Sequence, residues 1–158
     1  MSAIVSDTSP IHYLVECDIA DILAQLFTEI VIPPTVLMEL QHARTPDKVR
    51  EWIKAKPTWV RIQAPLRLDE SLDVDQGEKE AISLAKELNA SALLIDDRKG
   101  RAAAIRCGIQ VTGTIGLISI AAERGLINID SVVERLRRTR ARLDERLLAA
   151  ALARARRS

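Results

Sequence analysis

Aromatic side chains make up only 3% of this 158-residue chain: two Trp, one Tyr and one Phe. The core must therefore be built from Leu, Ile, Val and Ala, the bulk of an apolar content of 47%. Only two cysteines are present, Cys17 and Cys107, and neither stands in a CxxC or Cys/His spacing. A disulfide scaffold and a zinc site thus have no support, and a reducing cytoplasm is the expected setting. No apolar run reaches the roughly 18 residues of a membrane helix, so no membrane partner is expected. The opening MSAIVSDTSP also lacks the basic start of a signal peptide. Internal repeats, low-complexity tracts and long linkers are missing too, and the length fits one domain with a real core.

Net charge is small, +1, but unevenly spread. From 131 to 158, nine Arg face Glu134, Asp144 and Glu145, which leaves the tail at +6 and the rest at −5. A mildly acidic body with a basic tail does not suggest nucleic-acid binding over the whole surface. It is compatible with an acidic site beside a local basic surface.

What the chain does have is alternation. AIVS (3–6), EIVI (29–32), WVRI (59–62), ALLI (92–95) and IQVT (109–112) read as strands rich in Ile and Val. Helical patterns lie between them. Residues 10–27 suggest two short helices broken near Cys17 and Asp18. Pro33-Pro34-Thr35 opens a helix through VLMELQHA, and Thr45 is placed to cap another over 45–55. DQGEKEAISLAKEL (75–88) puts Ala81, Ile82, Leu84, Ala85 and Leu88 on one face. Gly108 and Gly125 suit helix ends in the left-handed conformation. The order predicts one α/β domain, a central parallel sheet of about five strands with helices on both faces.

In such sheets ligands bind beyond the carboxyl ends of the strands. Asp7 follows the first strand there, and Asp96 and Asp97 follow the fourth. Asp7 and Asp96 each have an alternative as a helix cap, but two adjacent acids are not both explained as caps of one helix. Glu39 and Glu78, on helices, are as readily solvated or capping residues as members of a site. Gathered in one cleft, these carboxylates repel unless a cation neutralises them. Oxygen ligands alone suit Mg²⁺ or Mn²⁺, and the matching chemistry is metal-assisted phosphodiester hydrolysis.

These residues also resemble a known family. IVSDTSPI is similar to the opening strand of PIN-domain nucleases, with Asp7 as the first metal-binding acid and Thr8 and Ser9 as supporting hydroxyls. IVIPPTVLMEL resembles the second block and puts Glu39 at its acid. DQGEKEAISLAKELNASALLIDDRKGRAAA resembles the third and fourth, with Glu78 where Asp often stands and Asp96-Asp97 last. The order continues into VTGTIGLI, as in a VapC-like branch. The resemblance implies a Mg²⁺- or Mn²⁺-dependent endoribonuclease, commonly a homodimeric toxin restrained by an antitoxin protein. It places the nuclease domain in 1–130, with 131–158 a basic amphipathic helical extension of the same domain. One departure is visible: Lys99 stands where many members carry an acid, and no Phe follows. Alignment by the strand selects Asp97 as the fourth acid, whereas counting from Glu78 selects Asp96.

Around the acids, Arg98, Lys99 and Arg101 are candidates for RNA phosphate contact or are simply solvated. Thr112, with Gly113 and Thr114, is placed to present a hydroxyl or N–H groups to a phosphate; no P-loop Lys accompanies them. His12 and His42 stand alone and read as structural, and Trp52 and Trp59 as covers of the core. The tail reads first as a solvated amphipathic helix, with docking on a second copy or an antitoxin, or a weak RNA contact, as the alternatives. A second function fits the same residues: a non-cleaving PIN-like module acting through protein association.

Overall fold

A computed structural model describes residues 3–157; residues 1–2 and 158, at the ends of the two predicted segments, lie outside the described residues. The five predicted strands are all present, each slightly shorter than its apolar run. They are β1 (Ile4–Ser6), β2 (Ile30–Ile32), β3 (Val60–Ile62), β4 (Ala92–Leu94) and β5 (Val111–Thr112). They form one all-parallel sheet in the order β3-β2-β1-β4-β5. Interior strands read IVS, IVI and ALL because both of their faces are covered.

Alternation along the strands divides the core in two. Ile4, Ile30, Ile32, Val60 and Leu94 point to one side. Helices α1 (Thr8–Glu16), α2 (Ile22–Leu26), α3 (Pro34–Leu40) and α4 (Asp47–Lys54) cover it, together with α7 (Thr114–Glu123), α8 (Ile129–Arg137) and α9 (Glu145–Arg157). Val5, Val31, Leu93 and Ile95 point to the other side. There α5 (Gln76–Glu87) contributes Ala81, Ile82, Leu84 and Ala85, and α6 (Arg98–Arg106) contributes Ala103 and Ala104. Small alanines let these two helices lie close to the sheet. Trp52 and Trp59 pack on the first core with ring centroids 5.8 Å apart.

Local signals largely act as expected. The break after α1 falls at Cys17-Asp18, where Asp18 takes φ +60, and Pro34 opens α3. Gly108 and Gly125 follow α6 and α7 with φ +78 and +72, conformations in which a Cβ is disfavoured. Two expectations need correction. Thr45 does not cap α4: Pro46 holds that position, and the Thr45 hydroxyl donates to the Glu39 carbonyl at 2.8 Å. The tail is neither one helix nor merely solvated. It divides into α8 and α9, the second started by Asp144, whose Oδ1 accepts from the Arg146 and Leu147 amides. Leu148 and Ala151 are buried in the first core, where α9 lies against α7.

The chain turns from one half of the sheet to the other at β1. Strands β2 and β3 lie on one side and β4 and β5 on the other, so the crevice at the carboxyl ends of β1 and β4 is the topological switch point. Ser6 pairs with Leu94, and the Asp7 amide donates to the Leu94 carbonyl at 2.8 Å. That register brings Asp7 level with the start of Ile95-Asp96-Asp97. The sheet alone thus delivers acids from two strands to one edge.

Leu94 is fully buried in the central part of the sheet, whereas Leu66 is 96% exposed. Leu94→Ala is expected to lower stability by about 2–5 kcal/mol in urea unfolding, and Leu66→Ala by no more than about 0.5 kcal/mol. Equal losses would contradict the placement of the core.

Candidate functional site

Asp7 sits at the N-cap of α1 with extended backbone, yet its side chain caps nothing. The residue is 7% exposed, and its carboxyl is pushed up to about 7 by burial, with Glu39, Asp75 and Asp96 adding to the rise against a hydrogen bond from the Thr8 backbone. The capping alternative therefore fails for this residue. Glu39, the penultimate residue of α3, is half-buried and raised above the usual carboxylate range, by burial first and then by Asp75 and Glu80. The Thr8 hydroxyl donates to its Oε2 and partly offsets that rise.

Glu78 does cap its helix, and this does not exhaust its role. The Asp75 carboxylate accepts from the Glu78 amide at 2.8 Å, while Glu78 Oε2 accepts from the Asp75 amide at 3.4 Å. A capping box of this kind ordinarily lies in solvent. Here Glu78 is 6% exposed, and its carboxyl is pushed up to about 8 by burial, then by Asp75, Asp97 and Asp7.

The adjacent pair divides between two helices. Asp97 is the N-cap of α6, its Oδ2 accepting from the Gly100 amide at 3.0 Å. Asp96 turns the other way and holds the start of α7: Oδ1 accepts from the Thr114 amide and Oδ2 from the Thr114 hydroxyl, each at 2.7 Å. Each acid thus supports a different helix, while the charge of Asp96 reaches Asp7 and that of Asp97 reaches Glu78.

The remaining predicted residues separate by position. Ser9 and Thr112 line a groove that opens beside Asp96 and Asp97, and so do Arg98 and Arg101. Arg101 donates from Nη1 to the Ile95 carbonyl at 3.0 Å, which ties it to the strand end. Lys99 is turned toward Asp73, 3.0 Å away.

Three residues were not singled out from the sequence. Asp75 faces Asp7, Glu39 and Glu78 electrostatically; the Asp-x-x-Glu spacing was its available signal. Glu80 is buried and joins α5 to α3. Its Oε1 accepts from the Thr35 amide at 3.1 Å, and its Oε2 from the Thr35 hydroxyl and from Gln76 Nε2. Burial pushes the Glu80 carboxyl up, but these hydrogen bonds outweigh it and hold it below the usual range. No local pattern announces a contact between residues 45 positions apart. Gly77 is the third: a Cβ there would stand 2.8 Å from Glu39 Oε1, so a side chain would press on that carboxylate.

The ion pairs of the protein lie elsewhere. Among the described residues, no Lys, Arg or His pairs with Asp7, Glu39, Asp75, Glu78, Asp96 or Asp97. A family model described as a PIN domain matches residues 3–157. The chain belongs to the PIN-domain family. Its members are generally nucleases that use divalent metals. No curated protein matches this PIN domain.

The donors in the PIN site fit a hard divalent cation: they are carboxylate oxygens, mutually repelling and without a cationic side chain to neutralise them. Among the described residues, no three His, Cys, Asp or Glu side chains are positioned together as they stand to hold a metal ion. Asp96, Asp97 and Glu39 are instead drawn toward Thr114, Gly100 and Thr8.

Raised carboxyl groups link stability to pH. Asp7 and Glu78 keep in the fold a proton that the unfolded chain releases near its ordinary range, 3.8 and 4.5. The folded state therefore binds more protons across this window, and stability falls as pH rises from about 4 until about 8. In metal-free protein, Asp7→Asn with Glu78→Gln should gain stability relative to wild type between pH 5 and pH 8. Parallel stability–pH curves would contradict the burial of these charges.

Proposed function

We propose that this PIN domain is a Mg²⁺- or Mn²⁺-dependent endoribonuclease, acting in the cytoplasm as the homodimeric toxin of a toxin–antitoxin pair. The observation that carries the reading is the unpaired set of carboxylates at the switch point, two of them buried. Asp7, Glu39, Glu78 and Asp97 would hold the ion, with Asp96 beside them. When bound, the ion polarises the scissile phosphodiester and makes an attacking water more acidic. No nucleophilic side chain is needed.

The protein's own part is placement. The Thr8 hydroxyl orients Glu39, and Glu80 fixes the α3 start relative to α5 through Thr35. Asp97 has only Oδ2 engaged among the described residues, whereas both oxygens of Asp96 are engaged by Thr114. Asp97 is thus assigned as the direct ligand and Asp96 as the residue that fixes α7 behind it. Arg98, exposed at the groove mouth, is placed to meet a phosphate of the RNA backbone. Among the described residues no helix is long and apolar enough to cross a membrane. The competing reading, a non-cleaving module that acts through protein association, draws on Lys99, which is paired with Asp73 where other members carry an acid.

Clean wild-type protein should cleave single-stranded RNA with Mg²⁺ and stop when the metal is chelated. Thr8→Val should lower the rate about 10–100-fold, the usual loss when a ligand's support is removed, and Asp7→Asn should lower it further. Asp97→Asn should cost more activity than Asp96→Asn. Equal activity of Asp7→Asn, or none from wild type, would favour the non-cleaving module.

Gly77→Ala separates activity from stability. Stability should stay within about 1 kcal/mol of wild type, since Ala suits a helix, while cleavage drops because Glu39 is displaced. Undiminished cleavage would remove Glu39 from the site.

A further inference from the structure

Four of the nine arginines of the C-terminal segment are engaged by named protein acceptors. Arg135 donates to the Cys17 carbonyl, Arg137 pairs with Glu145, Arg138 with Glu134 and Arg156 with Asp130. Arg140 and Arg142, in the turn between α8 and α9, have no acid partner among the described residues. Both line the same groove of about 1190 Å³ that contains Asp96, Asp97 and Arg98. The one acid beside them, Asp144, spends its Oδ1 on the first amides of α9. Unpaired cations therefore line the turn, and Asp96 and Asp97, at the edge of the acidic site, line the same groove.

The groove also carries apolar surface. Ile105 is 59% exposed and Leu147 55% exposed, and both line it, as does the half-buried Tyr13. A duplex offers mostly phosphates to such a surface and leaves apolar side chains uncovered. A single strand presents phosphates and unstacked bases together, and its bases lie on apolar or aromatic side chains.

We propose that the α8–α9 turn is a guide for single-stranded RNA, with Arg140 and Arg142 holding backbone phosphates of nucleotides that extend away from the scissile bond. The proposal rests on the nuclease reading for the direction of the strand, but the binding track itself does not require cleavage. Arg98 lines the groove with Asp96 and Asp97, and the two turn arginines extend the electropositive path onto the tail. The positive excess of residues 131–158 thereby acquires a local purpose at two of its nine arginines.

Binding of a fluorescent single-stranded polyuridine oligonucleotide to the full chain in chelator, measured against salt, tests this. Removing one arginine–phosphate interaction should reduce the slope of log affinity against log salt by about 0.7. Arg140→Ala with Arg142→Ala should therefore flatten the slope by roughly 1.4, and Lys at both positions should largely restore it. Arg138→Ala, at a paired arginine, should leave it unchanged. An unaltered slope in the double variant, or an equal loss from Arg138→Ala, overturns the proposal. An unaltered slope together with a change in oligomeric state would assign the groove to protein instead and likewise overturn it. With Mg²⁺, a dinucleotide too short to reach the turn should be cleaved equally by wild type and the double variant; slower cleavage by the variant overturns the guide role. No dinucleotide cleavage by either protein, with the salt effect intact, counts against the nuclease reading and leaves the RNA track supported.

Discussion

Like charges brought together at the end of a parallel sheet govern much of what surrounds them. The pairing of Ser6 with Leu94 places Asp7 beside the start of Ile95-Asp96-Asp97, and α3 and α5 bring Glu39, Asp75 and Glu78 to the same side. In water these groups would separate or recruit cations. Here burial raises the carboxyls of Asp7, Glu39 and Glu78, and no basic side chain among the described residues relieves them. The fold tolerates that cost because two large apolar cores flank the sheet.

The acids are held by neutral donors in place of cations. Thr8 serves Glu39, Thr114 serves Asp96, the Gly100 amide serves Asp97 and the Glu78 amide serves Asp75. Such bonds fix orientation without cancelling charge, so the field remains available to a cation. Glu80 illustrates the opposite solution on the same helix. Thr35 and Gln76 satisfy it, which keeps it ionised and makes it a strut between α3 and α5. Two acids two residues apart on α5 thus have different fates, decided by their hydrogen-bond donors.

Most of the architecture could be read from the chain, because Ile- and Val-rich runs of four alternated with helices bearing one apolar face. Asp7 was legible as a strand-end acid, and Glu39 and Glu78 were legible mainly through the family resemblance. The distinction between Asp96 and Asp97 was not, since it depends on which helix each side chain reaches, α7 or α6. Glu80 was hidden for the same reason: its partner Thr35 is remote in sequence. Asp75 carried a readable capping signal, yet its part in the acidic cluster emerges only once β1 and α3 are in place. In the tail, periodicity foretold helix but not the break before Asp144, and the burial of Leu148 and Ala151 is set by α7. Local chemistry was visible; long-range partnership was not.

The central claim is that this carboxylate set is built to receive a divalent cation. Calorimetric titration of the metal-free protein with Mn²⁺ or Mg²⁺ at neutral pH tests it without reference to any substrate. A saturable heat, with a rise in unfolding temperature, is expected for wild type and should be lost when Asp7→Asn and Glu78→Gln are combined. No heat and no change in unfolding temperature, or the same binding by the doubly substituted protein, would contradict the account.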